Sequence, residues 1–123
     1  MQVSKKDINK KIEAKIFKSL YQVLADLKQP KDVEMFLEDT LSETEKTVLA
    51  KRLGIACYLN NNKSYERIRQ DLRVSSATIA NVQKWMESGG EGLQLALKTI
   101  EADEWAGQMA NKISDSVKKV FKR

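Results

Sequence analysis

Short polar side chains near the middle of the sequence form the pattern with the most specific chemistry. Asparagine can hydrogen-bond adenine through two atoms, and serine or threonine hydroxyls can bond either base edges or phosphates. Their small size also lets a helix approach the base edges closely. Such residues, with one apolar neighbour, predict a base-reading edge: Ser75, Ser76, Thr78, Ile79 and Asn81.

Basic side chains flank that edge. From residue 63 to residue 84 there are five basic and two acidic side chains, so 5 minus 2 gives a local charge of +3. Basic groups neutralise DNA phosphates without reading the sequence. The expected phosphate contacts are Lys63, Arg67, Arg69, Arg73 and Lys84. A charge run alone also fits a solvated helix face, so the cluster counts only together with the polar edge.

The composition excludes several other chemistries. There is no histidine, and Cys57 is the single cysteine, so a zinc site of the Cys/His type and an internal disulfide are excluded. The sequence also has no Gly-rich phosphate loop and no nucleophile motif. We therefore expect no enzymatic activity, no cofactor and no metal. Cys57 has apolar neighbours and is interpreted as a buried packing residue.

Two short helices are needed to position the polar edge. Ser64 is a suitable N-cap for a helix reaching about Leu72, and Ser75 for a second helix that ends at the glycine-rich residues 88–92. The spacing is that of a helix-turn-helix over residues 64–87. By spacing alone, an ordinary helical hairpin explains this pattern nearly as well.

Helical periodicity covers most of the remaining chain. Apolar residues recur every three or four positions over residues 8–27, which predicts a helix of about 22 residues that ends before Pro30. A shorter helix fits residues 31–39. Ser42 and Glu45 have the spacing of a capping box, so a further helix should start there.

The sequence beyond the glycines continues the helical pattern to its end. Apolar stripes cover residues 93–100 and 105–121, with Asp103 either a break or an exposed position. With the elements above, this predicts an all-α chain of about six helices around a central helix-turn-helix. We expect one helical domain over residues 1–123, with a C-terminal helical extension from about residue 101.

The overall composition is typical of a soluble, globular, helical protein. Hydrophobic residues make up 41% and charged residues 32% of the chain, and five Gly with one Pro leave little material for the repeated turns of an all-β fold. No apolar run approaches the roughly 18 residues of a membrane span, and no charged start is followed by an apolar block. We expect a cytoplasmic protein that does not bind membranes.

Several stretches of the sequence resemble one known family. They read KSYERI at 63–68, VSSATIANV at 74–82, GGEG at 89–92, FLEDTLSETE at 36–45 and LAKRLGIA at 49–56. Together these stretches resemble the Trp repressor superfamily, most closely its Trp-repressor-like YerC/YecD branch, over about residues 33–97. The resemblance implies an intertwined all-helical homodimer that binds double-stranded DNA. It also implies a sequence-specific transcriptional regulator, by family default a repressor.

The resemblance also places a ligand pocket, and this sequence departs from it. One of the two arginines that hold the indole of tryptophan matches Arg52, whereas the other falls on Asn81. A glycine falls on Val82, a small serine falls on Trp85 and a threonine falls on Ser42. We therefore interpret the pocket as vestigial, expect no small-molecule corepressor of the tryptophan type, and hypothesise that Val82 or Trp85 fills the space.

Two functions from other classes stay open. In the first, the chain is a helical protein-interaction module that binds no DNA, and the stripe over 105–121 docks a partner. In the second, the same stripe lies on a membrane surface, which the acids at 101, 103, 104 and 115 disfavour. Salt-dependent binding to duplex DNA separates the regulator from the interaction module.

Overall fold

A computed structural model describes residue 3 and residues 7–121, without the side chains of 105, 108, 110 and 112–121. Within this part the chain forms six helices and no strand, which confirms the predicted all-α class. The helices are α1 (Lys10–Asp26), α2 (Pro30–Thr40), α3 (Glu43–Asn60), α4 (Tyr65–Leu72), α5 (Ser76–Glu87) and α6 (Glu91–Phe121). None of the helices in the described part is both long and apolar enough to cross a membrane.

The chain divides into two compact units, Met1–Lys46 and Thr47–Arg123. The first unit contains α1, α2 and the first turn of α3, and the second contains the rest of α3 with α4, α5 and α6. The single domain expected from the sequence stays a prediction beside this division.

Helix α1 is shorter than the sequence predicts, with 17 residues instead of about 22. It starts late because the Asn9 side-chain oxygen accepts the Lys11 amide at 2.9 Å, which fixes Asn9 as the cap. It ends early because Leu27 is extended, with ψ 93°. Pro30 then opens α2 at a position where its missing N–H is harmless.

The predicted capping box at the start of α3 is present. The Glu45 amide donates to the Ser42 hydroxyl oxygen at 3.1 Å, and the Ser42 amide donates to the Glu45 carboxylate at 2.9 Å. The Ser42 amide, followed by the Ser42 hydroxyl, lowers the pKa of Glu45 below its usual value. Lys46 pairs with Glu38 of α2 and with Glu43 at 3.1 Å, which joins the two helices.

The second unit has a small apolar core to which four helices contribute. Each of α3, α4, α5 and α6 supplies at least one residue that is at most 3% exposed. These buried residues are Ile55, Ala56, Ile68, Ile79, Val82 and Leu97. Full burial of such a branched side chain is worth about 1.5–3 kcal/mol, so this cluster fixes α4 and α5 against α3 and α6.

Helix α6 runs unbroken from Glu91 to Phe121. The sequence left open a break at Asp103, but Asp103 is an exposed helical position. An aspartate there lowers helix stability by about 0.7 kcal/mol at most relative to alanine, which is too little to end the helix. Cys57 of α3 packs against the core as its apolar neighbours predict, but it is half-buried rather than buried. Burial raises the pKa of the Cys57 thiol, and the charge of Glu104 on α6 raises it further.

Candidate nucleic-acid interface

Two serine caps set the start of α4 and α5. The Ser64 hydroxyl oxygen accepts the Arg67 amide at 3.1 Å, and the Ser75 hydroxyl oxygen accepts the Thr78 amide at 3.1 Å. Each oxygen satisfies an amide that a helix start otherwise leaves without a partner. As a result, α4 and α5 occupy the span over which the sequence predicts a helix-turn-helix.

The connector between α4 and α5 turns at Arg73. Its φ of 54° and ψ of 56° lie in the left-handed region, which costs a residue with a side chain roughly 1–2 kcal/mol. The Arg73 amide donates to the Arg69 carbonyl at 3.0 Å. Lys51 Nζ on α3 donates to the Arg73 carbonyl at 3.2 Å. These two bonds hold the strained turn that leads into α5.

The inner side of α5 is packed into the core. Ile79 and Val82 are 0% and 1% exposed. The Tyr65 hydroxyl of α4 donates to the Gln83 side-chain oxygen, and the Gln83 amide group donates to Glu87 at 3.1 Å. The expectation that Ile79 reads bases is therefore wrong, because a fully buried side chain cannot reach a base edge without unpacking the core.

The outer edge of α5 presents the polar side chains that the sequence singled out. Ser75, Ser76, Thr78 and Asn81 are all exposed. The hydroxyls of Ser75 and Thr78 lie 2.9 Å apart and bond each other, while Ser75 also caps the helix. Because capping already engages Ser75, its hydroxyl is less available to a base than that of Ser76. The side chain of Asn81 lies one turn further along the same helix.

The five basic residues near the polar edge are also exposed. They stand on α4, on α5 and in the adjoining turns, and they are Lys63, Arg67, Arg69, Arg73 and Lys84. Their exposure leaves each side chain accessible to a polyanion. Arg67 differs from the others in one respect, because its Nε donates to Asp71 Oδ2 at 2.9 Å.

Asp71 is the centre of a small network that the sequence analysis missed. Its Oδ2 accepts Arg67 Nε and also the Tyr58 hydroxyl of α3, at 2.9 Å each. The Arg67 guanidinium, followed by the Tyr58 hydroxyl, holds the pKa of the Asp71 carboxyl below its usual value. The i, i+4 spacing of Arg67 and Asp71 could have indicated the ion pair. Nothing local could have indicated Tyr58.

A cavity of about 450 Å³ lies between α3 and the helix-turn-helix. Its walls come from three segments, namely α3, the connector and residues 78–85 of α5. The lining residues are Val48, Lys51, Arg52, Arg73, Val74, Ser75, Thr78, Asn81, Val82 and Trp85. The cavity is therefore lined by several cations, by apolar side chains and by hydroxyl groups.

Four of the five residues that the resemblance placed in a ligand pocket line this cavity, namely Arg52, Asn81, Val82 and Trp85. Ser42 belongs to the other unit, where it caps α3. The expectation that Val82 or Trp85 fills the space is wrong, since the cavity stays open. Trp85 is 45% exposed, and its ring centroid lies 5.4 Å from the Arg52 guanidinium carbon. The bulky residues stand at the wall of the pocket.

Lys51, the cation that joins α3 to the connector, was not predicted as a site residue. The only local signal was its position next to Arg52.

In the part of the chain that the structure describes, no group of three or more His, Cys, Asp or Glu side chains could hold a metal ion.

One family model and one curated relative match the chain. The model of the family described as Trp repressor protein matches residues 15–101. The chain is 27% identical over 94 residues to a Bacillus subtilis (strain 168) protein named "Uncharacterized protein YerC", which covers 76% of this chain and 90% of that protein. No solved structure matches the chain.

Proposed function

The chain belongs to the Trp repressor family, and on that premise we propose that it is a sequence-specific transcriptional regulator that binds double-stranded DNA. The residues matched by the family include both helices of the helix-turn-helix. We infer that it acts in the cytoplasm as a repressor, without enzymatic activity and without a cofactor. The family membership confirms the resemblance found in the sequence.

One observation carries the proposal, and it is the division of α5 into a buried side and an exposed polar side. Ile79 and Val82 anchor the helix in the core, while Ser76, Thr78 and Asn81 are exposed. A helix held in this way can enter the major groove without losing its packing. We assign base reading to Asn81, Ser76 and Thr78, with Ser75 mainly a cap.

The charges around α5 support binding to a polyanion. The exposed basic residues of α4, α5 and their turns are the proposed phosphate contacts: Lys63, Arg67, Arg69, Arg73 and Lys84. The first turn of α5 contains no acidic residue, so the positive end of its dipole is left available to a phosphate. Arg67 shares its charge with Asp71 and is expected to contribute less than Arg69.

We further propose that the regulator is a homodimer. An apolar stripe runs along α1 and includes Ile8 just before it, and its side chains are 37–63% exposed in the single chain. The stripe consists of Ile8, Ile12, Ile16, Phe17, Leu20, Tyr21, Val23 and Leu24. None of the residues Lys10–Asp26 is buried. A second copy would cover this stripe, and a two-fold dimer would present two copies of α5 to half-sites one helical turn apart.

Tryptophan is not expected to control this regulator, although the cavity is open. Asn81 lacks the planar cation that could stack on an indole, and the ring of Trp85 already faces Arg52. Calorimetry with tryptophan should therefore give no saturable heat. Tight binding of tryptophan would contradict this part of the proposal.

Selection of bound sequences from a random duplex pool tests the proposal. The wild type should enrich one motif, and Asn81→Ala should relax the preference at one base pair, at about 1–3 kcal/mol for a bidentate contact. Arg69→Ala should weaken binding to all sequences alike. It should also reduce the salt slope, which is the slope of the logarithm of the binding constant against the logarithm of the salt concentration, by about one. Gln94→Ala, which removes an exposed amide on α6, is the matched control and should change neither.

The same selection separates the regulator from the alternative function. If no duplex is enriched by the wild type at any salt concentration, DNA binding is refuted and the helical protein-interaction module takes its place. The stripe over 105–121, most of whose side chains lie outside the described residues, would then be the first surface to examine for a partner.

A further inference from the structure

Two neighbouring residues of α3, Lys51 and Arg52, contact residues at opposite ends of α5 across the cavity. Lys51 Nζ donates to the carbonyl of Arg73, two residues before the α5 cap, at 3.2 Å. Arg52 places its guanidinium carbon 5.4 Å from the ring centroid of Trp85, in the last turn of α5. One contact therefore lies at the start of α5 and the other near its end.

The cavity makes these two contacts more important than their individual strength suggests. Because about 450 Å³ between α3 and α5 is not filled by side chains, packing does not fix α5 from this side. The core contacts of α5, made by Ile79, Val82 and Met86, all lie on its inner side. A helix that is packed on one side only can tilt toward the open side, and contacts near both of its ends oppose that tilt.

The chemistry of each contact suits this role. The Arg73 carbonyl lies at the C-terminal cap of α4, where a cation is favourable, and the lysine bond also stabilises the left-handed turn. The Arg52 guanidinium lies within the roughly 6 Å over which a cation is attracted to an indole face. Both contacts use side chains of the protein itself.

We propose that Lys51 and Arg52 are positioning residues that fix both ends of α5, so that the reading helix is set for DNA without a small ligand. The proposal rests on the proposed function, since it concerns the orientation of the DNA-reading helix. Arg52 acts through Trp85, and Lys51 acts through the Arg73 turn.

Binding of the selected duplex by the full-length protein, dialysed and without added ligand, tests the proposal over a series of salt concentrations. Arg52→Ala and Trp85→Leu should each weaken binding about two- to fivefold, as expected for an exposed cation–π contact. The double variant should be no weaker than either single variant. Trp85→Phe, which keeps an aromatic face, should retain most of the affinity. Lys51→Met should weaken binding independently of the Arg52 pair.

The salt slope distinguishes positioning from direct contact. A lysine or arginine that neutralises a phosphate lowers the slope by about 0.9 when it is removed, whereas Arg52→Ala and Lys51→Met should leave the slope unchanged. Lys98→Ala, at an exposed position of α6, is the charge-matched control and should bind as the wild type does. Circular dichroism melting checks that each variant is folded.

The outcomes separate the two proposals. If the wild type binds no duplex, the proposed function fails. If the wild type binds but Arg52→Ala and Trp85→Leu act additively, or if the slope falls for Arg52→Ala, the positioning role is refuted while DNA binding stands. Loss of affinity in Trp85→Phe equal to that in Trp85→Leu would also contradict the cation–π contact.

Discussion

Asp71 shows how one carboxylate joins a proposed phosphate contact to the scaffold. Both Arg67 and Tyr58 donate to the same oxygen, so the residue ties α4 to α3 while it reduces the effective charge of Arg67. A phosphate that binds Arg67 has to compete with this carboxylate. The residue therefore affects both stability and DNA binding.

The lowered pKa of Asp71 gives stability a definite pH dependence. Arg67, followed by Tyr58, lowers the pKa of the folded state below that of the unfolded chain. The contribution is then fully present above the ordinary aspartate pKa of about 3.9, and it is lost as the pH falls through the lower, folded-state pKa. Asp71→Asn should lower the free energy of unfolding at about neutral pH, and its difference from the wild type should shrink as the pH falls.

Urea unfolding at several pH values measures this difference. Asp103→Asn, at an exposed position of α6, is the control and should track the wild type throughout. A deficit of Asp71→Asn that stays constant from neutral to strongly acidic pH would show that the ion pair is not its source.

The cap of α5 links the stability of the helix to its polar edge. The Ser75 hydroxyl oxygen accepts the Thr78 amide, so Ser75→Ala should cost about 0.5–2 kcal/mol of stability. Ser76→Ala changes the neighbouring hydroxyl, which belongs to the first residue of the helix, and should cost clearly less. Chemical denaturation of the two variants compares them directly. Equal losses would mean that the cap does not stabilise α5.

The glycine-rich end of α5 offers a second test of an element boundary. Gly90 has φ +50°, and a Cβ there would lie 2.6 Å from the Trp85 carbonyl oxygen. Gly90→Ala should therefore destabilise the chain by more than the roughly 1–2 kcal/mol of left-handed backbone strain. Gly107→Ala in α6, where a Cβ meets nothing within 4 Å, should instead stabilise by about 0.4–1 kcal/mol. Thermal melting decides, and a tolerated Gly90→Ala would contradict this geometry.

Local chemistry explains why the elements could be predicted from the sequence. The Ser64 and Ser75 caps and the Ser42–Glu45 box depend on residues only three positions apart, so their spacing is visible in the sequence. The length of α1 was overestimated because periodicity ignores the cap that Asn9 supplies. Ile79 was added to the base-reading residues although its i, i+3 spacing with Val82 places both side chains on one side of α5, which is the buried side.

The cavity and its contacts could not be predicted, for a different reason. Lys51 and Arg73 are 22 positions apart, and their contact depends on how α3 lies against the connector. The family resemblance located four residues of the cavity, but substitution of larger residues did not fill it. The volume of a pocket depends on the side-chain directions that packing imposes, and residue size alone does not give them.

The exposed apolar stripe of α1 predicts the oligomeric state of the protein. Sedimentation equilibrium should give about twice the chain mass of 14.0 kDa. Ile16→Glu places a charge in the stripe, where Ile16 is 54% exposed, and should shift the mass toward that of one chain. Lys18→Gln makes the same change in net charge on the opposite side of α1 and should leave the dimer intact. A wild-type chain that sediments as a monomer would refute the dimer.

Equilibrium binding to a selected duplex, and to duplexes with each base pair substituted in turn, tests the central claim that α5 reads DNA. If α5 reads DNA, the wild type prefers the selected duplex, and Asn81→Ala loses about 1–3 kcal/mol of discrimination at one base pair while its affinity keeps the same dependence on salt concentration. Equal affinity of the wild type for the selected and the random duplexes would contradict it.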